Sequence, residues 1–587
     1  MLRCFFNARA LSSTRPSTIA PHHPPTMNRK EPDLSFAVAQ IRRFSYLILG
    51  WALIAVLSFL MPDRMFLSRA QGRWFEIALM GVALLRGSRQ VSQGLPVELD
   101  LLTLSQLPRK DQMQYVGHGF LWNSERANQV LAVERASETI SRTRGPGDLG
   151  GVTVLHAVGR KREQPTFLPL SDLEGHMLVA GATRTGKTHY LQLDVLQAIE
   201  RGDEAVIFID PKGDLKVLHR AYDAAVGTGR EKDFLFFSLA FPHISCTYNP
   251  LHNFVLGMEI PDRLAGLLPG GGQSEPFKAF AWEVINVIAQ AMLLAGERPL
   301  LSKIARYAKV NGTLEELLPE IPEQTPEYEY LRGLIKHPPD HYDKMVSSLK
   351  PLLSKLDTPD FRSLMSVPNP ELDWDCAIRN KRIVYMFMGS MIVKETAYAI
   401  GMLALQDLLN FIGRAYAYEQ AKTPVRLVVD EVGRLVFPGF VDLLAQAGAQ
   451  GVMAVLAFQS VADLLSVLGP AGAQQILDNT NTKLWFRATD YATAKAFADV
   501  AGQGPVLTKR ESASYRPVLD GKHAPRGLAF DATFSQQSTE KIDNLVREDW
   551  LMKLPRGQAF LYASGYTYKT RFPLMPDPKH RFPLEKS

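Results

Sequence analysis

Cysteine is scarce in this chain. Three of its 587 residues are cysteines, and Cys4, Cys246 and Cys376 lie far apart without a Cys-x-x-Cys or Cys/His spacing. This argues against a disulfide framework or a cysteine-ligated metal site and is typical of a reducing compartment. A strong charge of one sign is also missing, because 66 basic residues face 60 acidic ones. The net charge of +6 permits contact with nucleic acid or anionic lipid but predicts neither.

Acidic residues are absent from the first 26 positions, which are rich in Pro, Ser, Thr and Arg. A targeting peptide is one interpretation, but the long apolar core of a secretory signal is missing as well. We favour a disordered tail, or an upstream extension of a protein that starts at Met27. Residues 1–26 are therefore set apart from the folded chain.

Charged residues are also absent from the run "FSYLILGWALIAVLSFLM", Phe44 to Met61. As a helix this run covers roughly 27 Å, close to the thickness of the bilayer core. A buried core helix is the alternative, but no amphipathic period is visible, which favours a transmembrane helix over 44–61.

A second apolar run, "WFEIALMGVALL", begins at Trp74 and contains Glu76. It predicts either a tilted second span within 74–90 or a helix on the membrane surface. We favour a two-span hairpin, because it keeps the rest of the chain in the cytoplasm. Residues 27–90 then form the membrane anchor and residues 91–150 a juxtamembrane segment.

A phosphate-binding pattern, G-x-x-x-x-G-K-T, lies between an apolar strand-like run and a helix-like run ending at Gly202. The strand-like "EAVIFIDPKGD" follows, so the segment predicts a βαβ unit. Lys187 is expected to reach the β and γ phosphates of a nucleotide, and the Thr188 hydroxyl to bind Mg²⁺. Backbone N–H groups of the loop would surround the phosphates. The nucleotide-binding residues are expected to be Gly181, Ala182, Thr183, Arg184, Thr185, Gly186, Lys187 and Thr188.

An acidic pair closes another apolar run, "VRLVVDE". Next to a phosphate loop, such a pair predicts Asp430 as the carboxylate on the Mg²⁺ side and Glu431 as the catalytic base, rather than a solvated turn. A further strand, "GVMAVLAFQS", ends at Gln459, which is the candidate sensor of the γ-phosphate.

Two further polar residues close strands, and each has two interpretations. Arg487 follows "NTKLWF" and either reaches the nucleotide of a neighbouring subunit or forms a surface salt bridge. Asp210, in "IDPKGD", either assists the metal and water or caps its turn. Lys212 and Lys216 beside it are candidate DNA contacts of a central channel, although two solvated lysines are the more usual finding.

About 240 residues separate the phosphate loop from the acidic pair. Most of that interval shows helical spacing of apolar residues and almost no strand signal. We therefore predict an all-α insertion over 258–372 within a nucleotide-binding domain, whose parts are 151–257 and 373–587. The closing "LPRGQAFLYASGYTYKTRFPLM" predicts a pair of strands that belongs to this domain.

These motifs together resemble the TraD/TraG-type coupling proteins of conjugative type IV secretion systems, within the FtsK/HerA-like group of RecA-fold motors. The likeness rests on "GHMLVAGATRTGKT", "IDPKGD", "YNPL", "FAWEVINVIAQAML", "VVDEVGRL" and "FQS". It implies an α/β, RecA-like P-loop domain with an all-α insertion, preceded by a transmembrane region. It also implies a homo-hexameric ATPase of the bacterial inner membrane that uses ATP and Mg²⁺. Such a protein links the relaxosome to the secretion channel and delivers single-stranded DNA with its relaxase.

One departure concerns an arginine that many relatives carry just before the sensor strand. In the relatives it can serve a neighbouring subunit. Here that segment, "LLAQAGAQG" over 443–451, has none, so either Arg487, Arg434 or another arginine supplies the charge in trans, or the enzyme is a weaker ATPase. Two alternative functions stay open: an FtsK-like pump of double-stranded DNA, and an ATP-gated substrate receptor that does not pump DNA.

Overall fold

The computed structural model describes residues 101–136, 151–152, 154–268, 272–309, 311–418, 423–437, 439–517 and 530–585. The predicted membrane anchor, 27–90, and the N-terminal 26 residues lie outside these ranges.

A large mixed sheet of eleven strands forms the centre of the described fold, in the order β2-β1-β13-β12-β9-β3-β8-β7-β4-β6-β5. Its strands are β1 (Met113–Leu121), β2 (Gln164–Pro169), β3 (Met177–Ala180), β4 (Ala205–Asp210), β5 (Phe234–Ser238), β6 (Ile383–Phe387), β7 (Val425–Val429), β8 (Val452–Phe458), β9 (Thr482–Trp485), β12 (Gln558–Ala563) and β13 (Tyr566–Arg571). β10 (Gln503–Pro517) and β11 (Phe530–Asn544) form a separate antiparallel ribbon.

Seven neighbouring strands, from β9 to β5, run parallel to one another. β3, β4, β6, β7 and β8 are buried along their whole length, as expected for parallel strands covered on both faces. β12 pairs antiparallel with β9 and with β13, so the closing strand pair predicted from the sequence belongs to the sheet. β1 and β2 extend this antiparallel side, which adds part of the segment before residue 151 to the sheet.

The helices connect and cover these strands. In chain order they are α1 (Ser124–Ala136), α2 (Val154–Ala157), α3 (Leu170–Leu173), α4 (Lys187–Arg201), α5 (Leu215–Gly227), α6 (Glu259–Gly266), α7 (Glu275–Leu294), α8 (Leu301–Lys309), α9 (Pro326–Ile335), α10 (Pro339–Met345), α11 (Leu349–Leu356), α12 (Pro359–Met365), α13 (Trp374–Arg379), α14 (Lys394–Ala417), α15 (Phe440–Ala449), α16 (Val461–Asp478), α17 (Tyr491–Ala501) and α18 (Glu548–Met552).

The predicted βαβ unit is present as β3, α4 and β4. α4 ends at Gly202, and α5 begins after Asp214, whose side chain accepts a hydrogen bond from the Lys216 backbone N–H at 2.9 Å. Buried apolar side chains of α4 and α5 share one hydrophobic cluster with β3 and β4. This packing fixes the turns that follow β3 and β4 at the same edge of the sheet.

The interval between the two parts of the domain is helical, as predicted. α6 to α12 and a 3₁₀ segment, Asn311–Glu320, occupy it, and no strand is present in its described residues. Its apolar side chains belong to the hydrophobic cluster on the second face of the sheet. The insertion therefore packs onto the domain through a continuous core.

One described helix, Gly272–Leu294, is long and apolar enough to cross a membrane. It includes α7, whose residues Ala281, Val284, Ile285, Ile288, Ala289, Ala291 and Met292 are buried. Because these side chains pack in the second-face cluster, the helix serves here as a core helix of the insertion.

Candidate nucleotide-binding site

The phosphate loop turns from β3 into α4 over Gly181–Thr188. Gly181 and Gly186 have φ angles of 148° and 127°, which suit glycine. A Cβ on Gly181 would lie 2.6 Å from Cβ of Phe486, so the loop is also closely packed. The Thr185 hydroxyl donates to the Ala182 carbonyl at 2.7 Å. These constraints hold the loop in one shape against the start of α4.

Lys187 is the first residue of α4 and is buried. Its ammonium group donates to the carbonyl of Gly181 and lies 3.5 Å from the carbonyl of Ala182, within the loop itself. Burial lowers the pKa of Lys187 to about 8, while the carboxylates of Asp430 and Glu431 act in the opposite direction. A nearby anion would therefore stabilise the charged form of Lys187.

Two carboxyl groups that act on each other lie at the ends of adjacent strands. Asp430 follows β7, and Asp210 closes β4. Burial is the main reason that the pKa of Asp430 is raised to about 7. Repulsion from Asp210 adds to this increase, and Lys187 opposes it. A carboxyl group with such a pKa is poised to bind a cation.

Asp210 also explains the shape of its turn. Its carboxylate accepts backbone N–H groups of Gly213 at 2.8 Å and Asp214 at 2.7 Å, and the Tyr385 hydroxyl at 3.1 Å. Of the two interpretations of Asp210, turn capping is therefore present in the structure, and the carboxylate also acts electrostatically on Asp430.

Glu431 and Gln459 meet across the ends of β7 and β8. Glu431 has a φ of 50°, a left-handed conformation that is costly for a residue with a side chain. Its carboxylate accepts a hydrogen bond from the Gln459 amide nitrogen at 3.1 Å. The Thr183 hydroxyl donates to the Gln459 amide oxygen at 3.3 Å. Gln459 therefore joins the acidic strand end to the phosphate loop.

A cavity of about 540 Å³ opens beside these groups, and we call it the phosphate-loop cavity. It contains Lys187, Thr188, Asp430, Glu431 and Gln459 in its wall. The complete lining is Ala182, Thr183, Arg184, Gly186, Lys187, Thr188, His189, Gln192, Lys212, Asp214, Leu215, Lys216, Arg220, Asp430, Glu431, Gln459 and Arg556. Cations outnumber acids in this wall, which favours an anionic ligand.

Several of these cations were not predicted to lie at this site. Lys212 and Lys216, for which the sequence favoured two solvated lysines over DNA contacts, are exposed and line the phosphate-loop cavity. Arg220 is held by carbonyls of Met575 and Pro576 and by Gln192. Arg556 lies far downstream in the sequence and had no motif around it that signals nucleotide binding. Only the strand order brings it to this edge.

Arg487 and Arg434 do not line the cavity of their own chain. The backbone carbonyl of Arg487 accepts a hydrogen bond from the Ala182 N–H at 2.8 Å, which fixes this strand end against the phosphate loop. Arg434 is exposed in the short turn after Glu431. A role for either side chain in a neighbouring subunit's site remains a prediction.

The comparisons with known proteins agree with the sequence resemblance. Residues 424–556 match the family described as the TraM recognition site of TraD and TraG. The chain is 21% identical, over 411 residues, to the type 4 coupling protein DotL of Legionella pneumophila, covering 60% of this chain and 52% of that protein. The chain therefore spans about half the length of that curated relative. The chain is thus similar in sequence to type IV coupling proteins over part of its length.

Solved structures of the plasmid coupling protein TrwB share the fold of this chain. The complex of TrwB with ADP and Mg²⁺ gives a TM-score of 0.52 at 16% identity and covers 72% of this chain and 89% of that one. A sulfate complex of TrwB gives 0.53 at 16% identity, covering 81% and 98%. The predicted mixed α/β fold with a large parallel sheet is thus confirmed.

Proposed function

We propose that this chain is the ATP-hydrolysing coupling protein of a conjugative type IV secretion system. It is anchored in the bacterial inner membrane with its bulk in the cytoplasm, binds relaxosome proteins and the secretion channel, and drives the transfer of single-stranded DNA with its relaxase. The main support is the convergence of Lys187, Asp430, Glu431 and Gln459 on one cavity, although about 240 residues separate the first two.

The ligands proposed for the phosphate-loop cavity are ATP and Mg²⁺. The loop N–H groups and Lys187 bind the phosphates, and the oxygens of Thr188 and Asp430 suit Mg²⁺, which prefers oxygen ligands. Magnesium, when bound, neutralises charge on the phosphates. The raised pKa of Asp430 fits this assignment, because burial and then repulsion from Asp210 and Glu431 disfavour the ionised form until a cation is present.

Glu431 is proposed as the base that accepts a proton from the attacking water. Its hydrogen bond to Gln459, and the bond from Thr183 to Gln459, connect the base to the loop that holds the phosphates. Gln459 is therefore suited to orient the water or to sense the γ-phosphate. Arg487 is proposed to act on the site of a neighbouring subunit in a homo-hexamer.

ATP hydrolysis by the purified full chain, with and without single-stranded DNA, tests this function. We expect hydrolysis that rises with single-stranded DNA and falls at least about 100-fold in Lys187→Ala, because the phosphates lose their buried cation. Lys495→Ala is the matched control, since Lys495 is exposed and pairs with Asp499 at 2.7 Å away from the cavity.

Three outcomes would contradict parts of the proposal. Hydrolysis that is indifferent to DNA would favour the ATP-gated receptor. Stimulation by double-stranded DNA alone would favour the FtsK-like pump. Hydrolysis that survives Lys187→Ala would remove the phosphate loop from the reaction.

A further inference from the structure

The turn before β12 exposes a single arginine beside the phosphate loop. Leu554, Pro555, Gly557 and Gln558 are buried, whereas Arg556 between them is exposed. The Gly557 N–H donates to the Thr185 carbonyl at 2.8 Å, which ties this turn to the loop. A turn with buried residues on both sides fixes the backbone from which the Arg556 side chain extends.

The contact between this turn and the loop is close. A Cβ on Gly186 would lie 3.2 Å from Cα of Gly557. Arg556 therefore begins next to the residues that lead into Lys187 and Thr188, and its side chain lines the phosphate-loop cavity. No ion pair links Arg556 to another residue in the part of the chain that the structure describes.

Other arginines in or near the phosphate-loop cavity are less suited to bind a ligand. Arg220 already donates to Gln192, Met575 and Pro576. Arg487 does not line the cavity. Arg184 has a φ of 61° at the exposed tip of the loop, without a packed neighbouring turn of the kind that holds Arg556. Arg556 combines a fixed backbone, an exposed guanidinium and a place in the wall.

We propose that Arg556 is a nucleotide-binding residue of its own chain and that its guanidinium binds the phosphate chain of the nucleotide in the phosphate-loop cavity. This inference rests on the proposed nucleotide site. The planar guanidinium donates two parallel hydrogen bonds to phosphate oxygens, which an ammonium group cannot do.

Equilibrium binding of a fluorescent ADP to the full chain, with displacement by ATP and by inorganic tripolyphosphate, tests the proposal. Arg556→Ala is expected to weaken the binding of all three ligands about 10-fold or more, because a hydrogen bond to a charged group is lost. The affinities of Arg556→Lys should lie between those of the wild type and those of Arg556→Ala. The affinity of Arg556→Ala should also depend less on salt concentration than that of the wild type. Arg379→Ala is the control, because Arg379 is exposed and pairs with Asp375 at 2.7 Å. It precedes β6, so it lies at the amino ends of the parallel strands, away from the carboxyl ends that carry the cavity.

Mixed oligomers of Arg556→Ala and Lys187→Ala chains separate action within a chain from action between chains. If Arg556 serves its own chain, no subunit in the mixture has a complete site, and tight binding stays absent. Recovery of tight sites would overturn the assignment to the same chain. Unchanged affinity in Arg556→Ala would overturn the inference alone, whereas a wild-type chain that binds no nucleotide would overturn the proposed function.

Discussion

The phosphate-loop cavity and the junction of the helical insertion both contain charged groups withdrawn from water, but they differ in how those charges are paired. At the junction, Arg263 and Asp407 are fully buried and 2.8 Å apart. The Tyr248 hydroxyl and the Trp374 indole N–H donate to the second oxygen of Asp407 at 2.9 and 2.8 Å. The Arg263 guanidinium also donates to the Pro250 carbonyl at 2.8 Å. The two charges are therefore paired with each other, although burial still raises the pKa of Asp407 to about 6.

At the cavity, the charges are arranged without such pairing. Asp430 accepts the backbone N–H of Glu431 at 2.9 Å, while Asp210 and Glu431 act on it by repulsion. Lys187 donates to carbonyls of its own loop rather than to a carboxylate. The junction thus pairs its charges within the protein, whereas the proposed function of the cavity supplies an anionic ligand and a cation from outside.

The largest expected effect is on turnover at the cavity. Glu431→Gln keeps the size of the side chain but removes the proton acceptor, so we expect ATP hydrolysis to fall by about 10²- to 10⁴-fold. Affinity for the fluorescent ADP should change little. Steady-state hydrolysis and equilibrium binding on the same preparation check this, and unaltered turnover would exclude Glu431 as the base.

The next effect is on stability at the junction. Asp407→Ala removes the buried carboxylate from Arg263, which keeps its ion pair with Glu259 at 3.2 Å. The variant should lower the free energy of unfolding by about 3 kcal/mol, measured by urea denaturation. Arg306→Ala is the control, because its pair with Glu316 is exposed and should be worth less than about 1 kcal/mol. Equal losses in the two variants would contradict the role assigned to the junction.

The smallest expected effect is a pH-dependent increase in the free energy of unfolding when the Asp430 carboxyl group is removed. Because the folded-state pKa of Asp430 is raised to about 7, its favourable contribution is present below pH 4 and is lost as the pH rises through 7. Asp430→Asn, without nucleotide and in a metal chelator, should therefore be more stable than wild type at pH 8 by on the order of 1 kcal/mol.

The same comparison at lower pH completes this test. The difference between Asp430→Asn and wild type should shrink toward pH 5, where the Asp430 carboxyl of the folded protein is protonated. Urea denaturation at pH 5 and pH 8 measures it. A variant less stable than wild type at pH 8 would show that Asp430 is already compensated inside the protein.

Local patterns were enough to predict much of the site. The strand before the phosphate loop, helix α4 to Gly202, and the strands that carry Asp210, Asp430 and Gln459 all lie where the sequence indicated. The helical insertion and the closing strand pair were also predicted. These features are readable because the period of apolar residues and the positions of Gly and Pro depend on short stretches of backbone.

Other features depended on contacts between distant segments. The pairing of β1 with β13 extended the sheet beyond the predicted start of the domain at residue 151. Lys212 and Lys216 were candidate DNA contacts, with two solvated lysines the favoured interpretation; both are exposed and line the phosphate-loop cavity. No local signal marked Arg556, because its surroundings are typical of an ordinary turn before a strand.

The sequence by itself therefore determined the chemistry of the phosphate loop, the acidic pair and the helical character of the insertion. The tertiary structure decided which of these groups meet. Parallel pairing of β3 with β8, β8 with β7 and β7 with β4 brings their carboxyl ends to one edge, and the antiparallel β12 brings Arg556 there as well. The physical reason is that strand order follows from the burial of whole sheet faces, which no short stretch of sequence specifies.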